Sequence, residues 1–199
     1  DGGSELAKGL QGSVVVKLPL PPGCLVTLWH NEEGFVDSYF SEFPGYYKTG
    51  DAGYIDDQGY LHIMSRVDDI INVAGHRLST GAIEQVVASH PDVAECAIIG
   101  LADELKGEVP FGMLVLNDGV QRSESEIVSE VIKLVRLEIG AVTAFRKAIV
   151  VAQLPKTRSG KILRRTLKSL ADGKEYSMPA TIDNPSILQD IAITLKNNE

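Results

Sequence analysis

Cysteine is scarce. Only Cys24 and Cys96 occur in 199 residues, and they lack metal-ligand spacing. Two thiols in a chain this size fit a reducing compartment better than a disulfide scaffold. Cys96 lies in the run Ala94–Ile99 and reads as a core residue. Long apolar runs are missing too. None approaches the roughly 20 residues that a membrane-crossing helix needs. Positive charge is in deficit, with 19 Lys and Arg against 27 Asp and Glu and a formal net charge of −8, which argues against nucleic acid as a general partner. There is no internal repeat and no low-complexity tract. The opening Asp1-Gly2-Gly3-Ser4-Glu5 carries neither an initiator methionine nor a signal or transit pattern; we read it as a cut through a longer protein.

What is present is ordinary globular material, 44% hydrophobic and 23% charged, enough for one domain or two small ones. Residues 11–18 read as a strand ended by Pro19-Leu-Pro-Pro-Gly23. Asn31–Phe43 reads as a helix, with Trp29, Phe35, Tyr39 and Phe40 packing against strands. Three short strands follow, Tyr46–Lys48, Gly53–Ile55 and Tyr60–Met64, with Asp56-Asp-Gln-Gly59 as a hairpin signal between the last two. The texture changes after Arg66-Val67-Asp68-Asp69, where helix and strand begin to alternate. Ser79 or Thr80 caps a helix with Ile83, Val86 and Val87 inward, stopped at His90-Pro91. Val93–Gly100 and Pro110–Leu116 read as strands. Ser123-Glu-Ser-Glu126 is a capping box whose helix buries Ile127, Val131 and Leu134 and stops at Gly140. Ala148–Val151 is a third strand, a helix begins near Ser159-Gly160 with Leu163, Leu167 and Leu170 inward, and Ser186–Leu195 is a last helix. The fold class is α/β (α+β): a small β-rich part, 1–67, then a compact α/β domain, 68–199, with a small sheet and flanking helices.

Three constellations carry chemistry. Pro155-Lys-Thr-Arg-Ser-Gly-Lys161 lies in a basic stretch, 153–174, with seven Lys or Arg against one Asp. A cation in the first turn of a helix is mildly disfavoured by the dipole, which makes sense where an anion arrives; a solvated basic helix start is the alternative. It is not a Walker loop, since the earlier Gly is missing and Ile162 follows Lys161. Tyr47-Lys-Thr-Gly-Asp51 and Ser65-Arg-Val-Asp68 form the second. An Asp in a turn can accept two hydroxyls, and Arg66 can reach the same ligand across a hairpin; an ordinary turn Asp and a surface Arg are the plain alternative. In the third, Asn72-Val-Ala-Gly-His-Arg77, Gly75 permits positive φ and Arg77 offers a planar fork for phosphate or carboxylate. His76 has no partner legible in sequence and is read as structural.

Together these motifs, in this order and spacing, resemble the acyl-CoA synthetases of the adenylate-forming superfamily from about Gly12 to Leu170. Within that family the chain looks most similar to the acetyl- and propionyl-CoA synthetases, on a mitochondrial short-chain branch. The resemblance implies an ATP-dependent ligase that joins a short-chain carboxylate to CoA through an acyl-AMP, releasing pyrophosphate and AMP. It implies that Asp51 holds the ribose hydroxyls of ATP or AMP, with Arg66 assisting, and that Arg77 reaches the phosphate. Asp68 becomes the hinge of a C-terminal lid and Lys161 the catalytic lysine. The strand holding Ala74 and Gly75 lines the CoA tunnel, and Arg136 contacts the CoA nucleotide, unless it is only a cation favoured at a helix C-terminus. A metal is implied at the loop Ala88–Val93, through the carbonyls of Ala88 and Val93 and the ring of His90, with Mg2+ also accompanying ATP. The family's Ser/Thr/Gly-rich phosphate loop and acyl pocket are not in this sequence, so residues 1–67 would end a large upstream domain of the same protein. The partners implied are small molecules, in the mitochondrial matrix or, alternatively, the cytoplasm. A second reading is an isolated nucleotide- or CoA-binding lid without turnover. A third, a basic-helix nucleic-acid binder over 156–168, is opposed by the acidic remainder and the lack of interleaved aromatics.

Overall fold

The computed structural model describes residues 3–198. They divide into two compact units, Asp1–Asp68 and Asp69–Glu199, each built on its own sheet.

The first unit has three antiparallel strands, β1 (Gly12–Lys17), β2 (Tyr46–Ile55) and β3 (Leu61–Arg66), in that spatial order. Helix α1 (Glu32–Tyr39) lies between β1 and β2 in sequence. The Asn31 side chain accepts a hydrogen bond from the Gly34 N–H, and Glu32 and Glu33 sit in the first turn, where the dipole favours anions. The helix stops four residues short of the expected Phe43. Phe35 is buried, and the Tyr39 ring stacks on Tyr47 with centroids 5.2 Å apart, fastening α1 to β2. Trp29 does not join them; it is 89% exposed. The two short strands expected between Tyr46 and Ile55 are one strand. Gly50, at φ +79°, and a register shift at Ala52/Gly53 bend it without ending it. The expected hairpin is present. Asp56 accepts the N–H groups of Gln58 and Tyr60 and contacts His62 Nε2 at 2.8 Å, and the His62 bond is the main cause holding its carboxyl below the ordinary range.

The second unit runs β4 (Ile70–Val73), β5 (His76–Ser79), α2 (Thr80–Ala88), β6 (Val93–Asp103), β7 (Gly107–Leu116), α3 (Glu124–Glu138), β8 (Lys147–Val150), α4 (Arg164–Ala171) and α5 (Ser186–Asn197). Its sheet has the order β5-β4-β7-β6, antiparallel throughout, with β8 added parallel to β7. Period-two alternation along β6 and β7 feeds two cores. Cys96, Ile98 and Leu114 join α2 and α3 on one face, through Ile83, Val87, Ile127 and Val131. Ala97, Ile99, Phe111 and Met113 join Leu167 of α4 and Ile191 of α5 on the other. A sheet covered on both faces explains the nearly unbroken apolar runs 96–99 and 111–114.

Helix signals in this unit are mostly local. Ser79 caps α2 through the Ala82 N–H, and the helix ends before His90-Pro91. The Ser123/Glu126 capping box is formed in both directions. The face α3 buries is Ile127, Val131 and Val135, an i, i+4, i+8 row, so Val135 replaces the expected Leu134 as its third core residue. Each such side chain contributes about 1.5–3 kcal/mol of burial. Helix α4 departs most from expectation. It begins at Arg164, not near Ser159-Gly160, because Gly160 lies at φ +83° in a turn.

Candidate functional site

In the first unit, the β2–β3 pairing sets Asp51 directly opposite Arg66. Asp51 therefore lies in a strand and not in a turn as expected. Arg66 Nη1 donates to the Thr49 carbonyl at 3.0 Å and lies 3.4 Å from Asp51 Oδ1. The Asp51 N–H donates to Thr49 Oγ1, which itself donates to the Val14 carbonyl at 2.8 Å, so the bend in β2 is tied to β1. The guanidinium passes over Gly50. A Cβ there would come within 2.5 Å of Arg66 Nη2, and Gly50 is already at φ +79°, so a side chain there would strain the backbone and push the guanidinium aside. With side chains 51% and 34% exposed, Arg66 and Asp51 form a surface pair of little value to stability, yet one that offers a fork and a carboxylate side by side to a ligand. Asp68 follows in a single 3-10 turn, Val67–Asp69, and is exposed.

In the second unit, β4 and β5 meet at a two-residue turn whose central residues, Ala74 and Gly75, have φ +49° and +89°. Both belong to the left-handed region that tight hairpins require. They therefore form a turn and not the strand expected from sequence. The Ala74 N–H donates to the Lys106 carbonyl at 2.8 Å, which pins the turn. Arg77, paired with Asn72 across the hairpin, is exposed, as is His76.

Lys161 is not in a helical first turn, so the dipole does not act on it as expected. It closes a tight hairpin. Its N–H donates to Thr157 Oγ1 at 3.1 Å and its carbonyl accepts the Thr157 N–H at 2.8 Å, with Gly160 supplying the positive φ between them. Lys156 pairs with Ile162 across the hairpin, and the Leu163 N–H donates to the Pro155 carbonyl at 2.9 Å. The Lys161 side chain is exposed at the hairpin's end. Immediately beyond it, Arg164 donates from Nε and Nη2 to the two carboxylate oxygens of Glu84 at 3.0 and 2.8 Å. Glu84 Oε1 also accepts the Ile98 N–H at 2.9 Å, which locks α2, β6 and the start of α4 together. Burial disfavours the Arg164 charge, but Glu84 outweighs it and raises its pKa. The same burial, with Glu84 nearby, pushes the Cys96 thiol up to about 12. Farther along α4, Lys168 pairs with Glu108, whose other oxygen accepts the Asn72 N–H of β4 at 3.1 Å.

Arg136 stands exposed in the last turn of α3. His90 is 7% exposed and both ring nitrogens are occupied: Nδ1 accepts the Asp92 N–H at 3.2 Å and Nε2 meets Glu130 Oε2 at 3.1 Å. Arg122 joins Glu130 and Asp92, and Arg122 first, then His90, lowers the Glu130 carboxyl to about 2. In this structure the ring expected as a metal ligand is thus engaged by hydrogen bonds at both nitrogens. No group of three or more His, Cys, Asp or Glu among the described residues is arranged to hold an ion. Sequence reading missed Glu84, Thr157 and Glu108. Their partners are contributed across spacings of up to 80 residues, which no local signal marks; only Thr157 sat inside a motif already singled out.

Residues 82–161 match the AMP-binding enzyme C-terminal domain, a match that ends on Lys161. The chain is 57% identical, over 93% of its length, to the mitochondrial acyl-CoA synthetase short-chain family member 3 of Mus musculus, covering 27% of that protein. It is 38% identical, over 96% of its length, to the acetyl-coenzyme A synthetase of Pyrobaculum arsenaticum, covering 28% of it. Among solved structures, ATP-bound MatB from Rhodopseudomonas palustris aligns with a TM-score of 0.66 and 26% identity over 84% of this chain and 31% of that one. The chain thus spans less than a third of the length of these relatives.

Proposed function

We propose that this chain, whose residues 82–161 match the AMP-binding enzyme C-terminal domain, is the C-terminal portion of an ATP-dependent short-chain acyl-CoA synthetase. The observation that carries the reading is the similarity to such synthetases along nearly the whole chain, in which the Asp51–Arg66 pair and the Lys161 hairpin both lie. In this reading the carboxylate of acetate or propionate attacks the α-phosphorus of ATP and expels pyrophosphate. The CoA thiol then attacks the acyl carbonyl of the resulting acyl-AMP and expels AMP.

Asp51 accepts the ribose hydroxyls, oriented by its contact with Arg66, and Arg77 offers its fork to the phosphate. Lys161 brings its ammonium to the α-phosphate and acyl carboxylate, where charge redistributes in the transition state; a preorganised cation acts there as an electrostatic stabiliser. Asp68 is the hinge of the lid. The Ala74-Gly75 turn and Arg136 serve the CoA-dependent step. Mg2+ enters as the companion of ATP. The rest of the large domain lies upstream in the same protein, and the location is the mitochondrial matrix, supported by relatives named as mitochondrial.

The test is to assay the full-length parent and this chain side by side. The parent should release pyrophosphate from ATP only when acetate or propionate is present, and form the thioester once CoA is added. The 199-residue chain alone should do neither above a boiled control. A parent that forms no acyl-AMP from any short-chain acid refutes the proposal.

A further inference from the structure

The hairpin that presents Lys161 is not held only by residues near it. Its outer edge is paired with a segment twenty residues farther on. The Arg158 N–H donates to the Thr181 carbonyl at 3.0 Å, the Asp183 N–H donates to the Lys156 carbonyl at 2.9 Å, and Thr157 bridges Ile182 in antiparallel register. Ile182 is 6% exposed although it lies in an otherwise irregular stretch between α4 and α5. Residues 181–183 are thus the third strand of a small antiparallel ribbon, with 156–157 in the middle and Ile162 on the far side. The middle strand includes Thr157, which holds Lys161 by both its N–H and its hydroxyl. This segment lies outside the family match, which ends at Lys161.

We infer that Thr181–Asp183 is a positioning strap for Lys161, and that it sets how well the lysine is aimed in the acyl-adenylate-forming step. The inference rests on the role proposed for Lys161. Two features set the strap apart from general packing. Its two backbone bonds end on Lys156 and Arg158, the residues that flank Thr157 on either side. And α4, which follows the hairpin, is fixed separately by the Arg164–Glu84 pair, while Lys156 Nζ on Glu95 at 2.6 Å anchors only the start of the middle strand, so loosening the strap frees the Thr157–Lys161 turn while α4 stays in place. A misplacement of about 1 Å in a catalytic group can cost about 10²-fold in rate, so loosening this edge is expected to show in chemistry before it shows in folding.

The experiment uses the full-length parent with Ile182→Ala, Asp183→Pro, which removes the N–H that Lys156 accepts, and Ile182→Val as the conservative control. Each is also made in a Lys161→Ala background. Adenylation is read by pyrophosphate release from ATP and propionate, and thiolysis by thioester formation from preformed propionyl-AMP and CoA. The strap predicts that Ile182→Ala and Asp183→Pro lower adenylation about 10- to 100-fold, that thiolysis stays within about twofold, and that Ile182→Val restores adenylation. With Lys161 already absent, the strap substitutions should cost adenylation nothing more, because residues acting as a unit are not additive. Equal loss in both half-reactions, or an undiminished loss in the Lys161→Ala background, overturns the strap. If Asp183→Pro does not fold, Ile182→Ala against Ile182→Val decides by the same criteria. If Lys161→Ala alone leaves adenylation intact, it is the proposed role of Lys161 that fails, a result distinguishable from failure of the strap.

Discussion

Glycine 50 and cysteine 96 show how single residues report the two units. Gly50 has the Arg66 guanidinium laid across it and a backbone that side chains rarely adopt, so Gly50→Ala must displace the arginine, distort the strand, or both. In the parent we expect a raised KM for ATP with a smaller change in kcat, as binding common to ground and transition states is lost; an unchanged KM would remove Arg66 and Asp51 from the nucleotide site. Cys96 makes the opposite point. Its thiol is pushed up to about 12, by burial first and by Glu84 second, so the thiolate is suppressed below that pH, and the thiolate is the reactive form. In the 199-residue chain at pH 8, iodoacetamide should modify exposed Cys24 and spare Cys96 until denaturant is added, which peptide mapping by mass spectrometry would show. Alkylation of both at similar rates would contradict the packing of α2 against β6. Sequence identified Cys96 as core because its neighbours are apolar. It could not show Trp29 as exposed, since a large apolar side chain carries no mark of which way it faces.

At the scale of elements, the capping and stop signals of the second unit hold, whereas readings that depend on distant partners do not. The Ser79 cap, the Ser123/Glu126 box and the His90-Pro91 stop each act within a few residues, and the helices they delimit begin and end there. The helix expected from Ser159-Gly160 failed for the complementary reason. Ser-Gly resembles a helix start, but the backbone N–H and carbonyl groups around it are taken by Thr157, Thr181 and Asp183, and the last two are invisible to a local window. The single strand Tyr46–Ile55 is likewise split in the sequence reading, which puts Asp51 in a turn; pairing with β1 before and after Gly50 carries the strand past it. Asp68 belongs at this scale as well. It is exposed in a one-turn 3-10 segment where the first unit ends, and hinges are commonly a few such residues that absorb φ/ψ changes. Asp68→Pro fixes φ near −65°. In the parent it should leave one half-reaction near its original rate and collapse the other, with little change in melting temperature. Losses in both half-reactions that track a fall in melting temperature would end the hinge assignment.

For the whole molecule, the motifs Tyr47–Asp51, Arg66–Arg77 and Pro155–Lys161 stand out in the sequence because each joins unusual residue types at fixed spacing, and the structure sets Asp51 opposite Arg66 across the β2–β3 hairpin. What the sequence could not supply was the support beneath them: the Glu84–Arg164 clasp, the Glu108 link from α4 to β4, and the strap at Ile182. The central claim is that Lys161 is the cation of the adenylate-forming step in a synthetase of which this chain is the C-terminal portion. The most direct measurement is the pair of half-reaction rates of the parent with and without Lys161→Ala. Loss of one preorganised electrostatic contact should lower pyrophosphate release from ATP and propionate by about 10² to 10³, or about 3–4 kcal/mol, while thioester formation from preformed propionyl-AMP and CoA stays within about threefold of the unsubstituted enzyme. Equal falls in both rates, or no fall in the first, would contradict the account.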